Sequence, residues 1–164
     1  MRSAVKLRLD LDERTAAILD SQSRIANWLY NHLLAQANLL RQEFINNQDA
    51  AVSKTLYRER GLRNQVPGIK TRHPFVKAIY SSVAKNAALR LSSAIREYQK
   101  SRRGERGKPV SWPRFRAWKR NWFSLQYEEP WKGYALSGRD IVLSLDKDDQ
   151  GKQLHVTLLG GSMV

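Results

Sequence analysis

The sequence lacks cysteine, and no apolar run in its 164 residues approaches the length of a membrane-spanning helix. The absence of cysteine excludes disulfides and thiolate zinc sites. The absence of a long apolar run predicts that the chain has no membrane partner. The N-terminus also lacks the apolar core of a signal peptide, so we expect a cytoplasmic protein.

Clusters of metal-ligating residues are scarce as well. The three histidines, His32, His73 and His155, are far apart in the sequence, and none has Asp or Glu at metal-ligand spacing. The acidic pairs Glu128–Glu129 and Asp148–Asp149 fit a strand and a turn better than a two-metal site. The sequence therefore predicts no metal ion, no cofactor and no catalytic residue in this chain.

Acidic residues are rare in the middle third of the chain, and this shortage sets the charge distribution. The formal net charge is +14 at pH 7. Residues 1–60 contribute +2, residues 61–122 contribute +14, and residues 123–164 contribute −2. An excess confined to one region indicates a local binding surface for a polyanion rather than a generally solubilising charge.

The segment from Lys100 to Phe123, called the basic segment below, contains nine Lys or Arg residues but only one acid, Glu105. Four large aromatic residues lie among these cations: Trp112, Phe115, Trp118 and Trp122. Rings beside guanidinium groups offer stacking surfaces next to charges that pair with phosphate. The alternative is that the rings pack on a neighbouring core. The predicted nucleic-acid contacts are Lys100, Arg102, Arg103, Arg106, Lys108, Trp112, Arg114, Phe115, Arg116, Lys119, Arg120 and Trp122.

The N-terminal two thirds of the chain has the patterns of one strand followed by helices. Val5, Leu7 and Leu9 alternate with cations, which predicts a half-buried strand. Asp10 or Asp12 then caps a helix that is predicted to run to about Phe44.

Three further patterns follow this helix. A shorter helix is predicted over 50–60, and Pro67 with Gly68 predicts a loop. Apolar residues then recur every four positions from Phe75 to Ile95, which predicts a helix beginning at Pro74. The opposite face of that helix is polar, and it is either solvated or in contact with phosphates and base edges.

Beyond the basic segment the apolar period becomes two residues, over 122–127, 141–145 and 154–158, with a turn at 147–151. The N-terminal strand has no local partner, so the simplest fold pairs it with these C-terminal strands. The predicted class is α+β, a small antiparallel sheet or barrel with a helical bundle inserted between its first and second strands.

Four motifs occur in an order that resembles a known family. They are VKLRLDLDER at 5–14, the pair Tyr30–Asn31, IYSSVAKNAALRLSSAIREYQ at 79–99, and GKPVSWPRF at 107–115 followed by WFSL at 122–125. This order is similar to the N-terminal region of the transposon-encoded RNA-guided nucleases called TnpB, in the OrfB family. Compact type V CRISPR effectors share the same arrangement.

The resemblance implies a domain organisation. Residues 1–11 and 120–164 would form a wedge-type β-barrel, residues 12–100 a helical recognition lobe, and residues 101–119 a basic aromatic connector. The partners would be a guide RNA and target DNA. The family's RuvC-like nuclease, which holds the divalent metal, is expected to lie outside this chain, so the chain itself would not be an enzyme.

The resemblance also implies which residues read a short DNA motif flanking the target. By position these are Tyr30, Asn31, Lys77, Ser81, Ser82, Lys85 and Asn86. Asn and Lys suit base edges in the major groove. For Tyr30 and Asn31, core packing or helix bending is the rival interpretation.

Two other functions are compatible with the same sequence. One is a helix-turn-helix regulator, or a transposon accessory protein, that binds duplex DNA without RNA. The other is an enzyme with an unrecognised site, which would require a cluster of acids, whereas the acids here are scattered.

Overall fold

The computed structural model describes residues 7–148 and 150–163, and it shows an α+β chain. The described elements follow in the order β1 (Leu7–Asp10), α1 (Glu13–Asn47), α2 (Ala50–Tyr57), α3 (Val66–Arg72), α4 (Ser81–Arg102), β2 (Tyr134–Ser137), β3 (Asp140–Lys147) and β4 (Gln153–Met163). Two 3-10 helices, Arg63–Gln65 and Pro74–Ala78, flank α3. Val5, the predicted start of the first strand, lies outside the described residues.

The described strands form an antiparallel sheet in the order β1-β4-β3-β2. The pairing of β1 with β4, which joins Leu9 to Gly160, confirms the predicted pairing of the N-terminal strand with the C-terminal strands. The sheet is open, because β1 and β2 are both edge strands, so the barrel alternative is wrong for the described residues. Asp148 stabilises the predicted turn between β3 and β4 by accepting hydrogen bonds from the backbone N–H groups of Gln150 and Lys152.

The long helix α1 begins and ends at specific signals. Asp12 is its N-cap and accepts a hydrogen bond from the Thr15 N–H at 2.7 Å. The helix runs three residues past the predicted end at Phe44. Gln48 then adopts a left-handed conformation (φ 54°) and donates its N–H to the Phe44 carbonyl, which closes the last turn.

Two predicted boundaries around α3 and α4 are wrong. Pro67 and Gly68 lie inside the first turn of α3 rather than in a loop, because a proline there loses no helical hydrogen bond. Pro74 begins a 3-10 helix, and α4 starts only at Ser81. Between them Ile79 is extended, which places its side chain in the core.

The strand predicted over 122–127 is also absent, because these residues form neither helix nor strand. Phe123 is only 2% exposed and belongs to the core formed by α1, α2, α3 and α4. A second, smaller cluster joins Leu19 to the sheet residues Leu143, Val156 and Leu158. Leu125 and Tyr127 pack against both clusters, so this stretch connects the helices to the sheet.

Among the described residues, no helix combines the length and apolarity needed to cross a bilayer.

Candidate nucleic-acid interface

The basic segment leaves the end of α4 and runs antiparallel along α1. At one end, the Trp112 indole donates its Nε1–H to Asn38 Oδ1 at 2.8 Å. At the other end, Trp122 Nε1–H donates to Asp20 Oδ1, also at 2.8 Å. Because a buried or half-buried indole N–H needs an acceptor, these bonds fix both ends of the segment on the helix.

The middle of the segment is held through its backbone. Asn31 accepts a hydrogen bond from the Arg116 N–H and donates its Nδ2–H to the Arg116 carbonyl, each at 2.9 Å. Asn27, one turn earlier on α1, donates to the same carbonyl at 3.1 Å. The amide of Asn31 thus pairs with a peptide unit as a neighbouring strand would.

Ser23 is fully buried and saturates its hydroxyl with three bonds to the segment. Its Oγ donates to the Phe123 carbonyl at 2.8 Å and accepts from the Phe123 N–H and the Trp118 indole, each at 2.9 Å. One donor and two acceptors are the full capacity of a hydroxyl. Ser23 therefore binds the backbone N–H and carbonyl of Phe123, which a neighbouring strand would otherwise bind.

Helix α4 holds the chain just beyond the basic segment in the same way. Asn86 donates to the Gln126 carbonyl at 3.2 Å, and Ser82 Oγ accepts from the Glu128 N–H at 3.4 Å. Together with α1, this helix forms a groove in which the chain lies with its backbone bound by side chains.

These contacts divide the residues predicted to read a flanking DNA motif. Tyr30 is buried beside Phe123, with ring centroids 5.9 Å apart, as the core-packing alternative expected. Asn31, Ser82 and Asn86 bind the backbone of their own chain. Their side chains have a structural role here that the sequence pattern did not indicate.

The other three members of that set, Lys77, Ser81 and Lys85, are exposed. Their surroundings are basic, because the half-buried Lys70 lies close to both lysines. Burial lowers the pKa of Lys70, repulsion from Lys85 and Lys77 lowers it further, and Asp146 opposes the change. Lys77, Ser81 and Lys85 are therefore the members of the predicted readout set that face solvent.

Apart from the half-buried Arg116, the cations of the basic segment fall into two groups. Glu97 pairs with Lys100, at 3.1 Å, and with Arg106, while Glu105 pairs with Arg103 at 2.8 Å. The remaining exposed cations have no ion pair among the described residues: Arg102, Lys108, Arg114, Lys119 and Arg120. These five are the charges that a polyanion could reach without displacing a carboxylate.

The aromatic residues divide in a similar way. Trp112 and Trp118 are half-buried against the helical core, whereas Phe115 and Trp122 are 60% and 43% exposed. The alternative interpretation, that the rings pack on a neighbouring core, therefore holds for Trp112 and Trp118 but not for Phe115 and Trp122. These two exposed rings lie close in sequence to Arg114, Lys119 and Arg120.

Sequence reasoning missed the arginines that cover the buried rings. Arg24 lies 4.2 Å above the Trp118 ring, and Arg41 lies 4.4 Å above Trp112. Both arginines come from α1, on turns next to those that bind the segment. In the sequence, Arg24 and Arg41 are visible only as basic positions on α1. Their contacts with Trp118 and Trp112 depend on how the basic segment runs along this helix, which the sequence does not show.

Two of the three histidines lie side by side in the structure although they are far apart in the sequence. His32 and His73 have ring centroids 5.0 Å apart, and His32 stacks on Trp28 at 4.7 Å. Packing of the residue after α3 against α1 brings the two imidazoles together across 41 positions. Within the described residues, no three His, Asp or Glu side chains converge as metal ligands would.

This histidine pair predicts a pH-dependent stability. Burial first, and then the charges of His73 and Arg72, lower the pKa of His32 below its usual value. The unfolded chain therefore binds a proton more readily, and the free energy of unfolding should fall as the pH drops from 7 through about 6.5 and below. Urea denaturation at a series of pH values measures this fall.

The variant His32→Phe keeps a ring on Trp28 and should flatten the pH dependence between about 7 and 5.5. His155→Phe, at an exposed position on β4, is the matched control and should leave it unchanged. An equally steep dependence in His32→Phe and the unmodified chain would show that another group is responsible.

Comparisons with family models, with curated proteins and with solved structures found no significant match to this chain.

Proposed function

We propose that this chain is a nucleic-acid-binding module that holds phosphate backbones along the exposed side of the basic segment. The observation that carries the proposal is the group of five exposed cations that have no ion pair among the described residues. Three of them, Arg114, Lys119 and Arg120, lie close in sequence to the exposed rings of Phe115 and Trp122. Cations bind phosphates, and exposed rings stack on bases, so the two together favour nucleic acid over other polyanions.

The way the segment is anchored supports this proposal. A free basic tail would lose conformational entropy on binding, whereas a segment already fixed by Asn31, Ser23 and the indole bonds loses little. The anchoring bonds use backbone atoms and indole N–H groups and involve none of the segment's guanidinium or ammonium groups. The anchored part of the segment therefore carries Arg114, Lys119 and Arg120 on a preorganised backbone.

At a finer level, we propose the role that the resemblance to TnpB implies. The helices between β1 and β2 would be the recognition lobe, the sheet would be the wedge, and the basic segment would hold a guide RNA and its heteroduplex with target DNA. Base pairing would then provide sequence specificity, so the protein needs cationic surfaces and few base contacts. Lys77, Ser81 and Lys85 are the proposed readers of the flanking motif.

In this role the chain is a binding module, and cutting would belong to a RuvC-like nuclease partner that carries the divalent metal. The deciding experiment is purification of the chain from its host, followed by sequencing of the nucleic acid bound to it. A defined structured RNA supports the guide role. Protein free of RNA that binds a palindromic duplex would instead support a regulator acting without RNA.

Loss of one exposed ring should weaken binding to unpaired nucleic acid. Phe115→Ala is expected to reduce the binding free energy for single-stranded RNA by about 1–3 kcal/mol, because stacking on one base is lost. The free energy of unfolding should change little, since the ring is 60% exposed. Fluorescence anisotropy with a labelled oligonucleotide measures the affinity.

Leu136→Ala is the matched control, because Leu136 on β2 is 58% exposed and lies outside the basic segment. It should bind RNA as the unmodified chain does. Equal affinities of Phe115→Ala and Leu136→Ala would exclude stacking on Phe115.

A further inference from the structure

Two arginines meet at a single buried ring beneath the basic segment. The guanidinium carbon of Arg90, on α4, lies 4.9 Å from the centroid of Phe123, and that of Arg116 lies 5.1 Å from the same centroid. Arg116 is also 5.8 Å from the Tyr30 ring. Both guanidinium groups therefore lie against the same buried ring, and both side chains are only partly exposed.

The described residues provide no carboxylate for either guanidinium. The ion pairs of the described part of the chain involve other residues, and Arg116 Nε is buried without an acceptor there. Burial lowers the pKa of Arg90, and the charge of Arg116 lowers it further. Like charges in a partly buried position repel, and a bound anion would remove this repulsion.

The backbone of Arg116 cannot move away from this position at little cost. Asn31 binds both of its peptide groups and Asn27 binds its carbonyl. The side chain therefore starts from a fixed point, and planar guanidinium groups pair well with the oxygens of a phosphate. An arginine with an anchored backbone, a second guanidinium beside the same ring, no carboxylate within ion-pair distance among the described residues and partial exposure are together the features of an oxyanion site.

We propose that Arg90 and Arg116 form a binding site for one phosphate group, above the Phe123 ring, and that its occupant is a backbone phosphate of the bound polynucleotide. The identity of the occupant rests on the proposed function, whereas the existence of the site does not. Arg90 joins the predicted contact Arg116 in the interface, although it lies outside the basic segment.

The site is tested first with inorganic phosphate and no nucleic acid. The full chain is melted in sodium phosphate and in sodium chloride of equal ionic strength. Phosphate should raise the melting temperature of the unmodified chain in a saturable manner, as binding to the folded state requires. Arg90→Gln should lose this increase.

The matched control is Arg96→Gln, which removes the same charge from the same helix where Arg96 is paired with Glu59 at 3.4 Å. This variant should retain the phosphate-dependent increase. If Arg90 only supports Phe123, Arg90→Gln will melt lower in both salts and still gain stability from phosphate, which would overturn the site. Arg116→Gln provides a second test if Arg90→Gln does not fold.

The source of the phosphate is tested with a single-stranded RNA oligonucleotide. Arg90→Gln should raise the Kd about tenfold, and Arg96→Gln less than about twofold. If RNA binds equally to both variants, the site is wrong while the proposed function stands. If the unmodified chain binds no RNA but its phosphate response depends on Arg90, the site stands for small phosphate ligands and the proposed function fails.

Discussion

Replacement of Arg114, Lys119 and Arg120 by Gln is expected to weaken binding to every nucleic-acid sequence and to reduce its salt dependence. These three cations are exposed and have no ion pair among the described residues. Each phosphate contact that is lost changes the slope of log K against log salt by about 0.9 for duplex DNA and about 0.7 for single strands. The slope should therefore become about 2 to 3 less steep.

A control variant separates the local surface from the overall charge. Lys54→Gln, Arg58→Gln and Arg60→Gln together remove the same number of exposed cations in and just after α2. If binding depends on the basic segment, this control keeps most of the original slope, which titrations over a range of salt concentrations measure. Equal slopes for the two triple variants would show that binding follows net charge and not the segment.

Phe123→Ala is expected to lower the free energy of unfolding by about 3–5 kcal/mol. The ring is 2% exposed, contacts Tyr30, and lies beneath Arg90 and Arg116, so its removal leaves a cavity in the helical core. Because a domain is stable by only about 5–15 kcal/mol, the loss would be a large fraction of the total. Urea denaturation monitored by circular dichroism measures it.

Phe123→Leu retains most of the buried volume and should cost much less than the alanine variant. A loss below about 1 kcal/mol in Phe123→Ala would contradict the structure. It would mean that the segment contributes little to the core and is not anchored between α1 and α4.

The helices could be predicted because their signals are local or periodic, and the sheet pairing because the N-terminal strand has no local partner. The four-residue apolar repeat of α4 and the cap at Asp12 are examples, and both are present in the structure. The errors at Pro67 and Pro74 come from a shared property of proline. It fits the first turn of an α-helix or a 3-10 helix as well as a loop, and the sequence does not distinguish these cases.

The stretch 122–127 shows why the site could be predicted only in part. Its alternation is real, since Phe123, Leu125 and Tyr127 face inward while Ser124 and Gln126 are exposed. The pattern reports which side is buried but not what binds the backbone. The same alternation is expected whether the backbone is bound by a neighbouring strand or by a row of side chains from a helix.

The side chains of that row carry no distinctive local signal. Ser23, Asn27 and Asn31 recur every four residues on α1, which on a surface helix is typical of a solvated polar face. Their bonds reach across 85 to 100 positions of sequence. The resemblance to TnpB implies base readout for Asn31 and Asn86, a use that competes with the backbone bonds they make.

The number of cations was predictable, but their availability was not. Glu97 on α4 forms ion pairs with Lys100, on the next turn of the same helix, and with Arg106, which lies beyond the end of the helix. Arg116 points toward Phe123. Such pairings depend on how the chain turns after Arg102. The surface that remains is smaller than the sequence suggested and more sharply defined.

Ultraviolet cross-linking of the chain to its co-purified nucleic acid, followed by peptide mass spectrometry, tests the central claim most directly. We predict cross-links within residues 111–123, at Phe115 and Trp122 above all, because these rings are exposed and close in sequence to cations that have no ion pair in the described part of the chain. Cross-links confined to α2 or to the sheet, with none between residues 100 and 123, would contradict it.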